Sequence, residues 1–452
     1  MIKSLKKLAL QSGLEYFGDD VAIQTVSINS KVIKKDCLFV AIIANRDGHE
    51  FIPDAISNGA KALLVSTRQN VSIPQIICSN TIKGLRALAK QYRQTLKMPI
   101  ISLTGSCGKT TVKEMIVTLL GDKKVHFTQG NLNNYLGVPI TVLETPQDID
   151  FAVIEAGTSV VGEIKAAAEI IKPNIAMITN IGASHLEQLK TLDGVLVEKG
   201  ELLKSLQKED YCIVNLDDER IASFVKKLEC KKITCSMHDS SADIFILDYQ
   251  VKEDFYTVNV RIFDNNYSYK LPKIGKHNLL NSLLAIACVI ATGGEPKDFL
   301  ANTQNIKSYQ GRFSVENIND KLTLVDDTYN ASVNAVKSAI EDLEEFDGKK
   351  VLVISSMREL GAEAENYHRK MGQWLNKAEL DNILLFGEKD LIKFVLEEYR
   401  NSNIKYYEEK NALNNDLLKI LNKYRFEKTK IIVKGARSFK MEDVVKFIKD
   451  NF

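Results

Sequence analysis

Ile100-Ile101-Ser102-Leu103-Thr104-Gly105-Ser106-Cys107-Gly108-Lys109-Thr110-Thr111, running on into VKEMIVTLL (112–120), decides the fold of this chain. An apolar run of five, a glycine-rich turn and a helical stretch follow one another in the order of a strand, a phosphate-binding loop and a helix. Glycines at 105 and 108 let the backbone wrap an anion. Amides of Gly105, Ser106, Cys107, Gly108 and Thr111 can face it, Lys109 supplies a point charge for β/γ-phosphates, and Thr110 offers a hydroxyl to Mg²⁺. The spacing, G-x-x-G-K-T, is two residues shorter than the common loop.

Working outward, further apolar runs read as buried strands: FAVIEAG (151–157), IAMITNIG (175–182) and YCIVNL (211–216). Helical stretches lie between most of them, giving a mostly parallel sheet. Residues 243–272 break the rhythm with three alternating segments, predicting an antiparallel flap or side sheet with its turn at Asp264-Asn265-Asn266. A helix over 278–291 follows. Before the loop, short strands at 21–30, 37–43 and 61–66 and a helix over 83–97 form a smaller α/β unit ending at Met98-Pro99. After Tyr309, the strands KLTLVD, KVLVIS, NILLFG, IKYYE and KIIVKG alternate with helices in a Rossmann-like unit that lacks a G-x-G-x-x-G fingerprint. The expected fold class is therefore α/β in three domains, at 1–98, 99–308 and 309–452: a small N-terminal unit, a central P-loop ATPase domain and a C-terminal Rossmann-like domain.

Composition agrees. The chain has 452 residues, a net charge of +2 and 45% hydrophobic residues, so a dedicated nucleic-acid binder and a disordered chain are both disfavoured. No apolar run approaches the ~18 residues that span a bilayer. The amino-terminal residues turn polar and acidic too early for an export signal, so a cytoplasmic protein with reduced thiols is expected for its seven cysteines.

Other polar groups cluster where a nucleotide site would need them. Glu155 ends a strand beside the loop, as a metal ligand or a solvated strand end. His185 follows the next strand, as a ligand or a structural hydrogen-bonder, and Lys199 reads as an ordinary helix lysine. GNLNNYLGVPIT (130–141) presents Asn131 and Asn134 to a substrate or to a turn. His277, Asn278 and Asn281 gather at a helix start, as an adenine contact or a cap. Arg312, Asp327, Tyr329 and Asn330 lie at a C-terminal strand end, and Lys434 and Arg437 close another, where they could meet a carboxylate. No Ser-His-Asp constellation is evident.

Taken together, RDGHEF (46–51), TGSCGKTTVKEM (104–115), GNLNNYLGVP (130–139), AVIEAG with GEI (152–164), ASHLE (183–187), EKGEL (198–202), GKHNLLN (275–281), DDTYNAS (326–332), MRELG (357–361) and VKGARSFKMED (433–443) resemble the ATP-dependent Mur ligases of bacterial peptidoglycan synthesis, and within them the dipeptide-adding branch. The resemblance runs over nearly the whole chain. It implies an ATP-dependent ligase that joins D-Ala-D-Ala to UDP-MurNAc-tripeptide, with ATP and two Mg²⁺, acting as a monomer with neither nucleic-acid partner nor membrane insertion. It further implies that Thr110 and Glu155 hold one Mg²⁺, that His185 and a carbamylated Lys199 hold the second, and that Lys109, Lys199, His185 and Glu155 serve catalysis. By the same resemblance His277, Asn278, Asn281, Arg312 and Asp327 hold the nucleotide. Ser30, Asp47, Gly48, His49, Asn131, Asn134, Tyr329, Asn330, Lys434 and Arg437 contact substrate, the first domain binding the uridine end. Three positions depart from the family pattern: Asn29-Ser30-Lys31 stands where an Asp-Ser-Arg turn is common, Ser355-Ser356 where Gly-Asp precedes methionine, and Cys107 in place of a small loop residue.

Overall fold

A computed structural model describes residues 1–252, 255–272 and 275–452. Among the described residues, twenty strands form three sheets, one after another along the chain. The first comprises β1 (Glu15–Phe17), β2 (Thr25–Ser27), β3 (Cys37–Val40), β4 (Ala60–Val65) and β5 (Gln75–Ile77), in the order β1-β5-β4-β3-β2 with only β1 antiparallel. The strands β1 and β5 escape sequence reading because three residues cannot establish a period. The helix expected over 83–97 spans Thr81–Arg93. It starts earlier because the Asn80 side chain caps Lys83 N at 2.9 Å. It ends earlier because the chain folds back, Arg93 Nη1 donating to Leu96 O at 3.0 Å and Thr95 Oγ1 to Tyr92 O at 2.8 Å. Its buried face carries Leu85 and Leu88, each contributing about 1.5–3 kcal/mol on burial. Tyr92 Oη and Arg93 Nε donate to Thr145 O (2.9 Å) and Ile171 O (2.6 Å), tying this helix to the central unit.

The central sheet comprises β6 (Ile100–Thr104), β7 (Val125–Phe127), β8 (Phe151–Glu155), β9 (Ile175–Ile178), β10 (Tyr211–Asn215), β11 (Lys231–Ser236), β12 (Ile244–Val251), β13 (Phe255–Ile262) and β14 (Asn265–Pro272), in the order β14-β13-β12-β11-β10-β9-β6-β8-β7. The antiparallel segments do not form a separate side sheet. β12 pairs in parallel with β11, so β13 and β14 continue the central sheet. The hairpin turn also sits earlier than expected. Phe263 (φ 51°) and Asp264 make it, and Asn265 already pairs with Ile262. The strand β6 lies between β8 and β9, where the chain crosses from one half of the sheet to the other. At such a reversal the helices diverge and leave a crevice at the carboxyl ends.

The third sheet comprises β15 (Ser314–Asn317), β16 (Leu322–Asp327), β17 (Lys349–Ser355), β18 (Asn382–Phe386), β19 (Ile404–Tyr407) and β20 (Thr429–Lys434), in the order β15-β16-β20-β17-β18-β19. The five expected parallel strands are present, and β15 adds an antiparallel edge. Ser355 and Ser356, one of the departures, are fully buried. Ser355 Oγ accepts Ala436 N at 3.0 Å and Ser356 Oγ accepts Glu388 N at 3.1 Å, so both hydroxyls serve the strand ends. Among the described residues, no single helix is long and apolar enough to cross a membrane.

Candidate active site

The loop after β6 stands in the crevice. Gly105 (φ 152°) has no room for a side chain, since a Cβ there would meet Thr179 Oγ1 at 1.9 Å. Gly108 (φ 79°) turns the chain into the helix Lys109–Leu119. Asn180, after β9, pins the loop: its carbonyl accepts Ser106 N and its Oδ1 accepts Cys107 N, both at 3.0 Å. Ser106 Oγ donates to Gly182 O at 3.0 Å. The amides of Ser106 and Cys107 are thus occupied within the protein. The amino end of the 11-residue helix carries no side-chain cap, so the first-turn N–H groups from Gly108 to Thr111 are its donors toward an anion.

Beside those donors Thr110 Oγ1 donates to Glu155 Oε2 at 2.8 Å, and Asn133 Nδ2 donates to Glu155 Oε1 at 2.6 Å. Glu155 is 1% exposed at the end of β8, so it is no solvated strand end. A hydroxyl and a carboxylate this close are hard oxygen donors of the kind Mg²⁺ takes. Lys109 Nζ donates to Gly105 O at 2.7 Å; burial lowers its pKa, and the charge of Glu155 opposes that. Lys199, on the helix Leu192–Lys204, is 1% exposed. Burial and then the nearby Lys109 bring its ammonium down to about 7, against the pull of Glu198. An amine neutral near physiological pH is nucleophilic, unlike an ordinary helix lysine. Its neighbour Glu198 holds the loop after β8, accepting Gly162 N (2.7 Å) and Ile164 N (2.8 Å).

His185 follows β9 and its Nδ1 lies 2.6 Å from Glu359 Oε2, a carboxylate from the third unit. That contact holds Glu359 below the usual carboxylate range. With Nδ1 engaged, the atom left for ligation is Nε2, the arrangement common to metal-binding histidines. Among the described residues no three His, Cys, Asp or Glu side chains form a group that could hold a metal ion. The donors nominated by sequence are instead a hydroxyl, a carboxylate, an imidazole and an amine.

The third unit covers this site. Cys107 Sγ and Ser332 Oγ are 2.8 Å apart, and Tyr309 Oη donates to Glu114 Oε2 at 2.8 Å. Arg312 stacks over the Tyr329 ring at 3.7 Å. At the helix Asn278–Ala291, Asn281 Nδ2 donates to Asn278 Oδ1 at 2.7 Å, and His277 lies edge-to-face with Phe313 at 5.4 Å. Gly108 abuts Asn281, which brings this helix start to the loop. Lys434, 1% exposed, is bound to Asp327 and donates to Asn330 O at 3.0 Å. Burial raises the Asp327 pKa and Lys434 opposes it. Lys434 is thereby committed to Asp327, while the Arg437 side chain is 71% exposed and 3.4 Å from Glu442.

Of the asparagines, Asn134 Oδ1 caps the helix Gly137–Glu144 by accepting Gly137 N at 2.9 Å, and Asn131 is exposed. Asn133, which sequence reading passed over, is the one on Glu155. In the first unit Ser30 is buried and its carbonyl accepts Asn58 Nδ2 at 2.9 Å. Contrary to expectation, an Asp-His-Ser relay does occur there. Asp47 Oδ1 lies 2.6 Å from His49 Nδ1, and His49 Nε2 lies 3.1 Å from Ser66 Oγ. The same Nε2 accepts Ser66 N at 2.9 Å, so its single lone pair is occupied by an amide and is not free to act as a base. Gly48 sits where a Cβ would meet Ile42 N at 2.6 Å, closing the turn that holds the relay.

Comparison with known proteins agrees with this layout. Three family descriptions match in succession: "Mur ligase family, catalytic domain" over 22–110, "Mur ligase middle domain" over 103–289 and "Mur ligase, glutamate ligase domain" over 311–437. The UDP-N-acetylmuramoyl-tripeptide–D-alanyl-D-alanine ligase of Escherichia coli K12 is 32% identical over 97% of this chain and 96% of its own. The protein of the same name from Bacillus subtilis 168 is 31% identical over 95% and 93%. Among solved structures, MurF from Acinetobacter baumannii has a TM-score of 0.91 at 25% identity, over 100% of this chain and 99% of its own. MurF ligase from Thermotoga maritima in complex with ADP gives 0.82 at 26%, over 95% and 97%. Matched in three successive stretches and alike to these relatives from end to end, the chain belongs to the Mur ligase family.

Proposed function

We propose that this protein joins D-Ala-D-Ala to UDP-MurNAc-tripeptide at the expense of ATP, completing the cytoplasmic UDP-MurNAc-pentapeptide precursor of peptidoglycan as a single chain. The observation that carries this is the end-to-end likeness to relatives bearing that name. The site geometry supplies a chemistry to match. A carboxylate is a poor acyl electrophile, and ATP corrects this by passing its γ-phosphoryl group to the terminal carboxylate of the tripeptide, releasing ADP. The amine of D-Ala-D-Ala then attacks the acyl carbon, and phosphate leaves as the new amide forms. Stabilising charge on transferring oxygens matters more here than a protein nucleophile.

In this reading the amides of Gly108 to Thr111 and the Lys109 ammonium cradle the phosphates. Thr110 and Glu155 hold one Mg²⁺, and His185 and Lys199 serve the second, which when bound draws charge from the phosphate oxygens. The neutral Lys199 amine adds CO₂ through nitrogen and releases a proton, so that a buried amine becomes a carbamate. His277, Asn278, Asn281, Arg312 and Asp327 receive the nucleoside. The first domain (1–98) takes the uridine end near Ser30 and Asp47 to His49. Asn131 and Asn134 flank the acyl end, and the third domain (309–452) closes with Tyr329, Asn330 and Arg437 toward the dipeptide.

The test is phosphate release from ATP and Mg²⁺ with UDP-MurNAc-tripeptide, with and without D-Ala-D-Ala. Release requiring both, with a pentapeptide product by mass, is the expected result. Release indifferent to the dipeptide but stimulated by L-Ala, D-Glu or a diamino acid would move the specificity to a sister ligase.

A further inference from the structure

His185 and Glu359 come from different units, 174 positions apart in the chain, and share an unusual backbone. His185 has φ 54° and Glu359 has φ 63°, both left-handed. For residues with a Cβ that conformation is strained. Their side chains meet at 2.6 Å while 25% and 58% exposed. A contact so open to solvent returns little stability. Stability alone does not account for two strained residues spent on one exposed contact.

The surrounding backbone shows that the meeting is built. Glu187 N donates to Glu359 O at 3.1 Å, so the chain just past His185 is bonded to the chain at Glu359 itself. Gly361, also left-handed (φ 55°), approaches so closely that a Cβ there would meet Glu187 Cα at 2.9 Å. Leu186 and Leu360, 3% and 2% exposed, are buried beside the contact. The carboxylate is thus delivered to the imidazole by backbone-to-backbone docking, and a flexible side chain does not have to find it.

From this we infer that Glu359 is a positioning residue: the C-terminal domain supplies the carboxylate that fixes the tautomer and ring direction of His185, so that docking of this domain and completion of the second metal position are one event. The inference rests on the proposed role of His185. Its physics is simple. A carboxylate accepting from Nδ1–H leaves the Nε2 lone pair outward, holds the ring against rotation and makes that nitrogen a stronger donor. Without Glu359 the ring samples both tautomers and several orientations. Undocked, the central domain would carry a histidine with the right chemistry and no fixed direction.

The experiment compares wild type with Glu359→Gln, Glu359→Asp and Gly361→Ala, each first checked for wild-type thermal unfolding. The His185 ring nitrogens are read by NMR, assigned with His185→Gln. Mn²⁺ affinity is read by electron paramagnetic resonance in the presence of a non-hydrolysable ATP analogue. Glu359→Gln should lose the single Nδ1–H tautomer and bind Mn²⁺ about 10-fold or more weakly. The apparent KM for Mg²⁺ should rise more than kcat falls at saturating Mg²⁺. Glu359→Asp should recover part of both, and Gly361→Ala, which touches neither side chain, should reproduce the loss. An unchanged tautomer and unchanged Mn²⁺ affinity in Glu359→Gln overturn the proposal while leaving the ligase reading intact. A wild type that turns over ATP with neither the dipeptide nor L-Ala, D-Glu or a diamino acid removes the ligase reading, and this proposal with it.

Discussion

Asn133 Nδ2 donates to Glu155 Oε1 at 2.6 Å while Asn133 O accepts Gly157 N at 2.7 Å, so one asparagine grips both the carboxylate and the strand end that carries it. Glu155 has two oxygens and two donors, Thr110 taking the other. Asn133→Ala leaves a 1%-exposed carboxylate oxygen unpaired, which costs about 1–3 kcal/mol. The expected outcome is a lower Tm and a raised requirement for Mg²⁺ in ATP turnover, read by calorimetry and by phosphate release. Asn131→Ala, at an exposed position without that contact, should leave the unfolding free energy within about 0.5 kcal/mol of wild type.

Lys109 has its ammonium 2.7 Å from Gly105 O, inside the loop it would serve. Lys109→Ala should lower kcat by about 10²–10³-fold, the usual loss when one charge-stabilising donor goes. Near-normal turnover would remove the phosphate-loop assignment.

Lys199 gives a prediction in pH. Its amine, brought to about 7 by burial, is uncharged above that value and protonated below it. Only the free amine reacts, and its partner is dissolved CO₂, so at fixed dissolved CO₂ the activation of CO₂-depleted enzyme should quicken as pH rises toward about 7 and level off above it. The unfolded chain keeps the proton up to the ordinary lysine value, so burial of this amine costs stability below that value, and the cost shrinks as pH rises. Lys199→Ala should be inactive and partly rescued by short carboxylic acids; no rescue would leave the carbamate without support.

Lys434 and Asp327 are bound to each other, with Lys434 1% exposed. Lys434→Ala strands the carboxylate and should destabilise the protein by about 3–5 kcal/mol, measurable by denaturant unfolding. Adding Asp327→Ala should recover part of that loss in a double-mutant cycle. Equal, additive losses would show that the pair is not coupled.

Long apolar runs made the fold legible. IISLT, FAVIE, IAMI and the C-terminal strands β16, β17, β18 and β20 are mostly buried, and burial is what an unbroken apolar run encodes. Strands β1, β5, β7 and β15, of three or four residues, carry too little period to be read. The loop from Gly105 to Thr111 was legible because its chemistry is local. Asn133, Asn180, Glu198, Ser332 and Glu359 were not, because each acts on a partner set by the tertiary fold. Cys107 meets Ser332 and His185 meets Glu359 only after two sheets have docked. The Asp47–His49–Ser66 relay was missed for the same reason, Ser66 arriving from the end of the neighbouring strand β4.

The contact between Cys107 and Ser332 also has a kinetic meaning. With Ser332 of the C-terminal unit set against Cys107 of the phosphate loop, the expectation is that a nucleotide reaches the helix start only when the two separate. Association is therefore gated: followed by stopped flow, the observed rate of ATP binding should level off as ATP is raised, at a ceiling equal to the opening rate. Ser332→Gly, which removes the hydroxyl from the seam, should raise that ceiling. The enzyme's pace at low turnover would then be set by how often two domains part, and only afterwards by what happens between them.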